Sequence, residues 1–331
     1  MDKTFPRIDG QEIAKKIMRD GVTKTRPPHA WLLTGLPGSG AMEASIELAK
    51  AMVCSNREPL PCGQCDSCRR ITGGNYLDLH VIQPQNNYLR IEQVRQMIVE
   101  TNIAPVEAAG LKIFVVQDLQ QMQAVGQNAM LKSLEEPWPQ VRFILVATLL
   151  QAVLPTVISR CRQVPFFPYT RKEVEVILKR EGAKEPEIIA TLSGGDLVLA
   201  REISSGSTEY LRTRDVAIRL LGLVQSEEWL LTRFEKEAAA VKDQSEVLYR
   251  AMLTWMHDLL AMRLGANPAI LRNGDLLPRL QGEAYRWHPG YLARGIRQVA
   301  ISNDRLKRNA NYKLEISRLG LELRELAQRS G

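Results

Sequence analysis

The chain changes rhythm once. Up to about residue 170, short apolar runs alternate with stretches of helical period. Five runs, Ala30–Thr34, Leu79–Ile82, Lys112–Val116, Phe143–Thr148 and Gln163–Phe166, are mostly apolar and bounded by polar or turn residues. Runs of that length without alternation are expected of parallel strands buried on both faces. Between them Ile91–Thr101 and Gln127–Leu134 read as helices, the second stopped at Pro137-Trp138-Pro139 because proline cannot continue a helix. An opening segment Phe5–Asp20 and a Pro27-Pro28 turn precede the first strand. Strand and helix in alternation predict an α/β domain with a parallel sheet over residues 1–169.

From Thr170 the strand rhythm is gone. Arg171–Glu181, Glu185–Leu192 and Leu197–Ser204 predict a small helical domain over residues 170–206, with a linker at Ser204–Thr208. Residues 207–331 read as all-helical. Val247–Leu264 is apolar on most of its surface, the mark of a buried bundle member. Internal repeats and low-complexity tracts are absent from the sequence.

Composition adds limits. None of the apolar runs approaches the ~20 residues of a membrane span, and the start Met1–Pro6 lacks a signal-peptide core, so a cytoplasmic protein with no membrane role is expected. Net charge is +7, which suits either a solvated surface or a nucleic-acid or acidic partner. Residues 271–331 hold 12 Lys/Arg against 6 Asp/Glu, with Arg305, Lys307, Arg308 and Lys313 clustered before the apolar face Ile316, Leu319, Leu323, Leu326.

The first strand runs into Thr34-Gly35-Leu36-Pro37-Gly38-Ser39-Gly40-Ala41-Met42, followed by a helical pattern. A strand, a glycine turn and a helix start make a phosphate cradle of backbone N–H groups. The working motif is G-x-x-x-x-G-K-[ST], in which lysine reaches the phosphates and the hydroxyl holds magnesium. Here Gly35 and Gly40 keep the frame while Ala41 replaces the lysine and Met42 the hydroxyl residue. The turn is retained without its chemistry, although the amides of Leu36–Met42 leave residual phosphate binding open.

Cys54, Cys62, Cys65 and Cys68 have the spacing C-x7-C-x2-C-x2-C. Four thiolates satisfy tetrahedral zinc, and four protein ligands close the site to water, which makes it structural. Disulfides and free thiols fit a reducing compartment less well. Arg57, Arg69 and Arg70 lie near, without an aromatic residue for base stacking. His29 is expected to pack or hydrogen-bond, and His80, His257 and His288 have no companions at metal spacing.

Two further stretches, Asn128-Ala129-Met130-Leu131-Lys132-Ser133-Leu134-Glu135-Glu136-Pro137 and Ser159-Arg160-Cys161, combine with the four-cysteine insert. Together they make the chain resemble bacterial clamp-loader subunits of the AAA+ class, which act with DNA polymerase III. The resemblance is specific to about residue 205 and looser beyond, where Asn309–Leu314 is similar to the opening of the family's last helix. It implies an AAA+ domain with a zinc insert at residues 54–68, a helical lid and a helical collar. The missing loop lysine is similar to the members of that family that do not hydrolyse ATP.

The resemblance implies further positions. The acid pair for magnesium and water would fall on Gln117 and Asp118, and Gln117 is no anionic ligand. The second sensing arginine would fall near Leu197 or Val198, and Thr148 fits a polar sensor. No functional ATP site is therefore expected. Arg160 would enter a neighbouring subunit's nucleotide site as an arginine finger, with an ion pair to a local acid as the plainer alternative and Arg162 as a nearby substitute. Lys132, Glu135 and Glu136 are expected to be solvated or at a subunit contact. The implied partners are the ATPase and clamp-opening subunits of a hetero-pentamer, and through them the sliding clamp and primed DNA. An active ATPase with unorthodox loop residues and a stand-alone zinc-containing nucleic-acid binder are the rival readings.

Overall fold

The computed structural model describes residues 4–56, 58–85, 88–205, 208–308 and 310–329. The chain divides into two units, residues 1–169 and 170–331.

The first unit is a five-stranded sheet built from βαβ steps. Its elements are α1 (Glu12–Val22), β1 (Ala30–Thr34), α2 (Ala41–Val53), α3 (Asp66–Thr72), β2 (Leu79–Ile82), α4 (Ile91–Thr101), β3 (Lys112–Val116), α5 (Ala124–Ala129), α6 (Leu131–Glu135), β4 (Val141–Ala147), α7 (Pro155–Ile158) and β5 (Arg162–Pro165). The strand order is β2-β3-β4-β1-β5, and every pairing is parallel. In β1, β3 and β4 both faces are covered, so apolar residues run without a break and sort by parity. Trp31, Leu33, Ile113, Val115, Ile144 and Val146 face a core shared with α1, α2 and the cysteine segment. Ala30, Leu32, Phe114, Val116, Phe143 and Leu145 face the other side, against residues of α4 to α7. This is the burial that parallel strands require.

The run expected as one helix over Gln127–Leu134 is two. The chain leaves regular geometry at Met130, whose backbone relaxes to φ −83°, ψ −10° with its side chain fully buried. Three hydrogen bonds on the Gln127 carboxamide pin the first piece: it donates to Met122 O (3.0 Å) and Ala152 O (3.0 Å) and accepts from Leu154 N–H (2.8 Å). Burial and side-chain bonds override local periodicity here.

The second unit is helical throughout its described residues. It begins with α8 (Arg171–Arg180), α9 (Pro186–Ser193) and α10 (Leu197–Ser204). Thr170 opens α8 with a capping box to Glu173, and Asp196 caps α10 by accepting the Leu199 N–H at 2.9 Å. Then follow α11 (Thr208–Leu223), α12 (Leu231–Ala239), α13 (Ser245–Arg263), α14 (Leu277–Ala284), α15 (Pro289–Lys307) and α16 (Tyr312–Gln328). Gly206 and Ser207 of the expected linker, and Asn309 before the last helix, lie outside the described residues. Helix α13 buries Leu248, Tyr249, Met252, Trp255, Met256 and Leu259 in one core with Phe234, Trp287, Leu319 and Leu323. An ion pair between Arg214 and Asp275 (3.0 and 2.8 Å) and a buried Asp258 that accepts Asn273 N–H at 2.8 Å fasten the loop between α13 and α14.

Candidate functional site

The glycine turn is intact in shape. Gly35 N–H donates to Ala147 O at 3.2 Å, extending the β1–β4 pairing by one residue. A Cβ on Gly35 would fall on the Ser39 hydroxyl and lie 2.8 Å from Phe166 Cβ, so only glycine fits. Gly38 (φ 73°) and Gly40 (φ 89°) take the left-handed conformation that glycine alone adopts freely. Ala41 starts α2 and is buried, and Met42 is half-buried.

The chain's own side chains close around this loop. Gln11 sits at φ 53°, unusual for a residue with a Cβ. Its Nε2 donates to Ser39 O (2.9 Å) and Phe167 O (2.6 Å), and its Oε1 accepts the Phe167 N–H (3.2 Å). The Tyr169 hydroxyl donates to Asp9 O at 3.1 Å and lies 2.8 Å from where a Gly40 Cβ would stand. These contacts span up to 160 residues of chain, and no local pattern announces them.

At the end of β3, Gln117 donates its N–H to Ile82 O (2.9 Å). Asp118 follows with φ 50°, its Oδ1 accepting from Gln120 Nε2 at 2.9 Å. The same Gln120 accepts the Thr148 N–H at 3.0 Å. Gln120, silent in the sequence, thus ties Asp118 to Thr148, the polar residue after β4.

Arg160 lies just past α7 with its side chain one-third exposed. Its Nη1 donates to Thr156 O (2.9 Å) and Ser159 Oγ (3.3 Å), and its Nη2 is paired with the Glu135 carboxylate at the end of α6. The local ion pair considered as the plainer alternative is therefore present, and Glu135, expected to be solvated or at a subunit contact, is its partner. Lys132 and Glu136 are both exposed. Arg162 is exposed on β5, and burial pushes the intervening Cys161 thiol up to about 12, so it stays protonated and inert. His29 meets Leu134 O at 2.9 Å, a packing and hydrogen-bonding role as expected.

Cys54, Cys62, Cys65 and Cys68 converge with their sulfurs all within 4.8 Å of one another. Backbone N–H groups of Cys62, Cys65 and Gln64 point at sulfur: Cys62 to Cys54 Sγ (3.3 Å), Cys65 to Cys62 Sγ (3.3 Å) and Gln64 to Cys62 Sγ (3.4 Å). Sulfurs that accept N–H groups are sulfurs that favour the thiolate. Burial raises the Cys65 thiol, but hydrogen bonds from Ser55 and Cys68 outweigh it and bring the group to about 6. Buried Cys68 is pushed the other way by desolvation. The donor set fits a metal ion held by four sulfurs. Gly63 bends the knuckle at φ 70° under the Arg7 guanidinium. Backbone pairing of Thr4 with Leu60, and Phe5 N–H to Leu60 O at 2.6 Å, joins the insert to the start of the described chain. Arg70 is bound bidentately to Glu107 (2.6 and 2.7 Å), and Arg57 lies outside the described residues.

In the basic C-terminal cluster, Arg305, Lys307 and Arg308 each have an acid within 4 Å: Glu315, Glu246 and Asp304. Asn311 caps α16 by accepting Leu314 N–H at 3.2 Å, and Tyr312 anchors it through Ala238 O at 2.8 Å.

A parallel sheet in this order, with a glycine turn between β1 and α2 and helices after it in the chain, is a fold similar to that of clamp-loader proteins. The chain is similar to clamp-loader subunits of DNA polymerase III. Residues 10–170 match the family model described as DNA polymerase III, delta subunit. Over 98% of each chain it is similar to DNA polymerase III subunit delta′ of Bacillus subtilis, with 27% identity. It is 29% identical to subunit tau of Escherichia coli over 82% of this chain, which spans only 45% of tau. In fold it resembles a gamma subunit-related protein of Thermotoga maritima, with a TM-score of 0.52, 19% identity, and 96% of this chain and 100% of that one covered. None of its described helices is long and apolar enough to cross a membrane.

Proposed function

We propose that this chain is a delta′-type clamp-loader subunit that does not hydrolyse ATP. It joins ATPase subunits and a clamp-opening subunit in a hetero-pentamer that loads the sliding clamp onto primed DNA. The observation that carries this reading is the glycine turn of correct shape with Ala41 and Met42 at the chemical positions, in a chain similar to delta′ from end to end. Phosphoryl transfer rests on positioning and charge neutralisation. With no lysine, no magnesium-binding hydroxyl, and Gln117 in place of an acid, the loop has nothing to neutralise a triphosphate, and Gln11 and Tyr169 crowd it. Residues 1–169 would serve as the AAA+ body, 170–206 as lid and 207–331 as collar.

What remains active is Arg160. As a finger in a neighbour's site it would stabilise charge on the transferring phosphoryl group, since a guanidinium is always charged and offers a planar fork of donors. Such arginines are worth ~10³–10⁵ in rate. The Cys54–Cys62–Cys65–Cys68 cluster would hold one structural zinc, which when bound supplies folding energy and leaves no position for water activation. The reading is tested in a reconstituted complex of verified stoichiometry. Arg160→Ala is expected to leave assembly intact and lower the partner's DNA-stimulated ATP hydrolysis at least ten-fold, about 1.4 kcal/mol of transition-state stabilisation. An unchanged rate would remove Arg160 from the mechanism.

A further inference from the structure

Two motifs 25 residues apart in the chain meet on one guanidinium. Glu135 closes α6 within Ser133-Leu134-Glu135-Glu136-Pro137, and Arg160 lies within Ser159-Arg160-Cys161. Three contacts already hold the two terminal nitrogens of the arginine. Nη1 serves Thr156 O (2.9 Å) and Ser159 Oγ (3.3 Å), and Nη2 serves the Glu135 carboxylate.

The choice of Nη2 matters. An arginine binds phosphate best with two parallel N–H groups, either the Nη1/Nη2 end or the Nε/Nη2 side of its fork. Nη2 lends one N–H to each edge, so a carboxylate bound to it takes up one edge and sets an anion beside the other. The carboxylate also offsets the positive charge that a developing phosphoryl anion would use. The contact is reversible, because the side chains are 33% and 46% exposed. An exposed pair of this sort biases an equilibrium by only about 1.5- to 5-fold.

We propose that Glu135 is a positioning residue that parks Arg160, holding its guanidinium until an incoming phosphate takes Nη2 over. The inference rests on the trans role proposed above for Arg160. It gives Glu135 a part in the reaction without contact to substrate, and it joins the two motifs in one device. Engagement of the finger then becomes an exchange of one anion for another on the same nitrogen.

The test is steady-state ATP hydrolysis by the reconstituted complex without DNA. Glu135→Gln keeps the size and an acceptor oxygen but removes the charge. It is expected to raise kcat about 1.5- to 5-fold with KM for ATP unchanged, because the neighbour's own loop holds the nucleotide. The gain should shrink as salt is raised, since screening weakens an exposed pair. Arg160→Ala and the double variant Arg160→Ala/Glu135→Gln should be equally slow. If Arg160→Ala has no effect, the finger reading itself fails. If Arg160→Ala slows the complex while Glu135→Gln matches the wild type, parking alone fails. A fall in kcat for Glu135→Gln would mean that the carboxylate aims the arginine, which overturns parking as well.

Discussion

Gly21 shows how one residue can carry two opposed effects. It lies in the last turn of α1, where alanine is ordinarily the better helix former by roughly 1 kcal/mol. Yet a Cβ there would run into the indole of Trp31, with Cζ2 at 2.8 Å and Cη2 closer, and Trp31 is fully buried. Overpacking a rigid ring costs typically 1–3 kcal/mol, so the clash wins. Gly21→Ala is expected to lower the urea midpoint at unchanged slope; a rise would show that Trp31 can yield. At this scale the glycine turn was legible in the sequence, because Gly35 and Gly40 occupy counted positions in a spaced motif and stand in the turn as expected. What could not be read were partners brought together by the fold: Glu135 on Arg160, Gln11 and Tyr169 on the glycine turn, and Gln120 between Asp118 and Thr148. Each of these is a polar side chain whose role is set by residues on other elements.

Among the elements, the strands were the most legible, since burial on both faces of β1, β3 and β4 leaves apolar runs that differ from any amphipathic pattern; the edge strands β2 and β5, expected to be covered likewise, are less buried. Ala30–Thr34, Leu79–Ile82 and Lys112–Val116 stand in the structure as the sequence suggests. Helix boundaries are less readable where side chains from elsewhere interrupt them, as at Met130, fixed between the Gln127 bonds and the core. The cysteine insert was legible because metal ligation demands a spacing and not merely a composition. Purified protein is expected to carry about one zinc per chain, and Cys68→Ser to lose it together with order around residues 54–68. Metal analysis that finds none in the wild type would refute the site. Retention should also fall with falling pH, because protons compete with the metal for the thiolates. The sign follows from the ligand form alone: acid favours the thiol, and the thiol does not bind.

The whole molecule is similar to a protein of its own length in Bacillus subtilis but covers less than half of the tau chains that it also matches. A chain proposed to have given up turnover should also have given up linkage to nucleotide. A ligand that binds only the folded state stabilises it by RT ln(1 + [L]/Kd), about 2.7 kcal/mol at a hundred-fold excess over Kd. Magnesium and ATP at millimolar level are therefore expected to leave the melting temperature of the isolated chain unchanged. A rise of several degrees would mean that the loop amides alone hold a triphosphate, and the non-hydrolysing reading would need to be rebuilt around a bound nucleotide. The strand rhythm of the sequence stops at Thr170, the residue at which the second unit begins.

The pairing of Thr4 and Phe5 with Leu60 has a mechanical side. Six residues beyond Phe5 stands Gln11, whose carboxamide grips the backbone of Ser39 within the glycine turn and of Phe167 after β5. The thiol insert and the glycine turn are thus joined through a few residues of main chain, a route that does not run along the strands of the sheet.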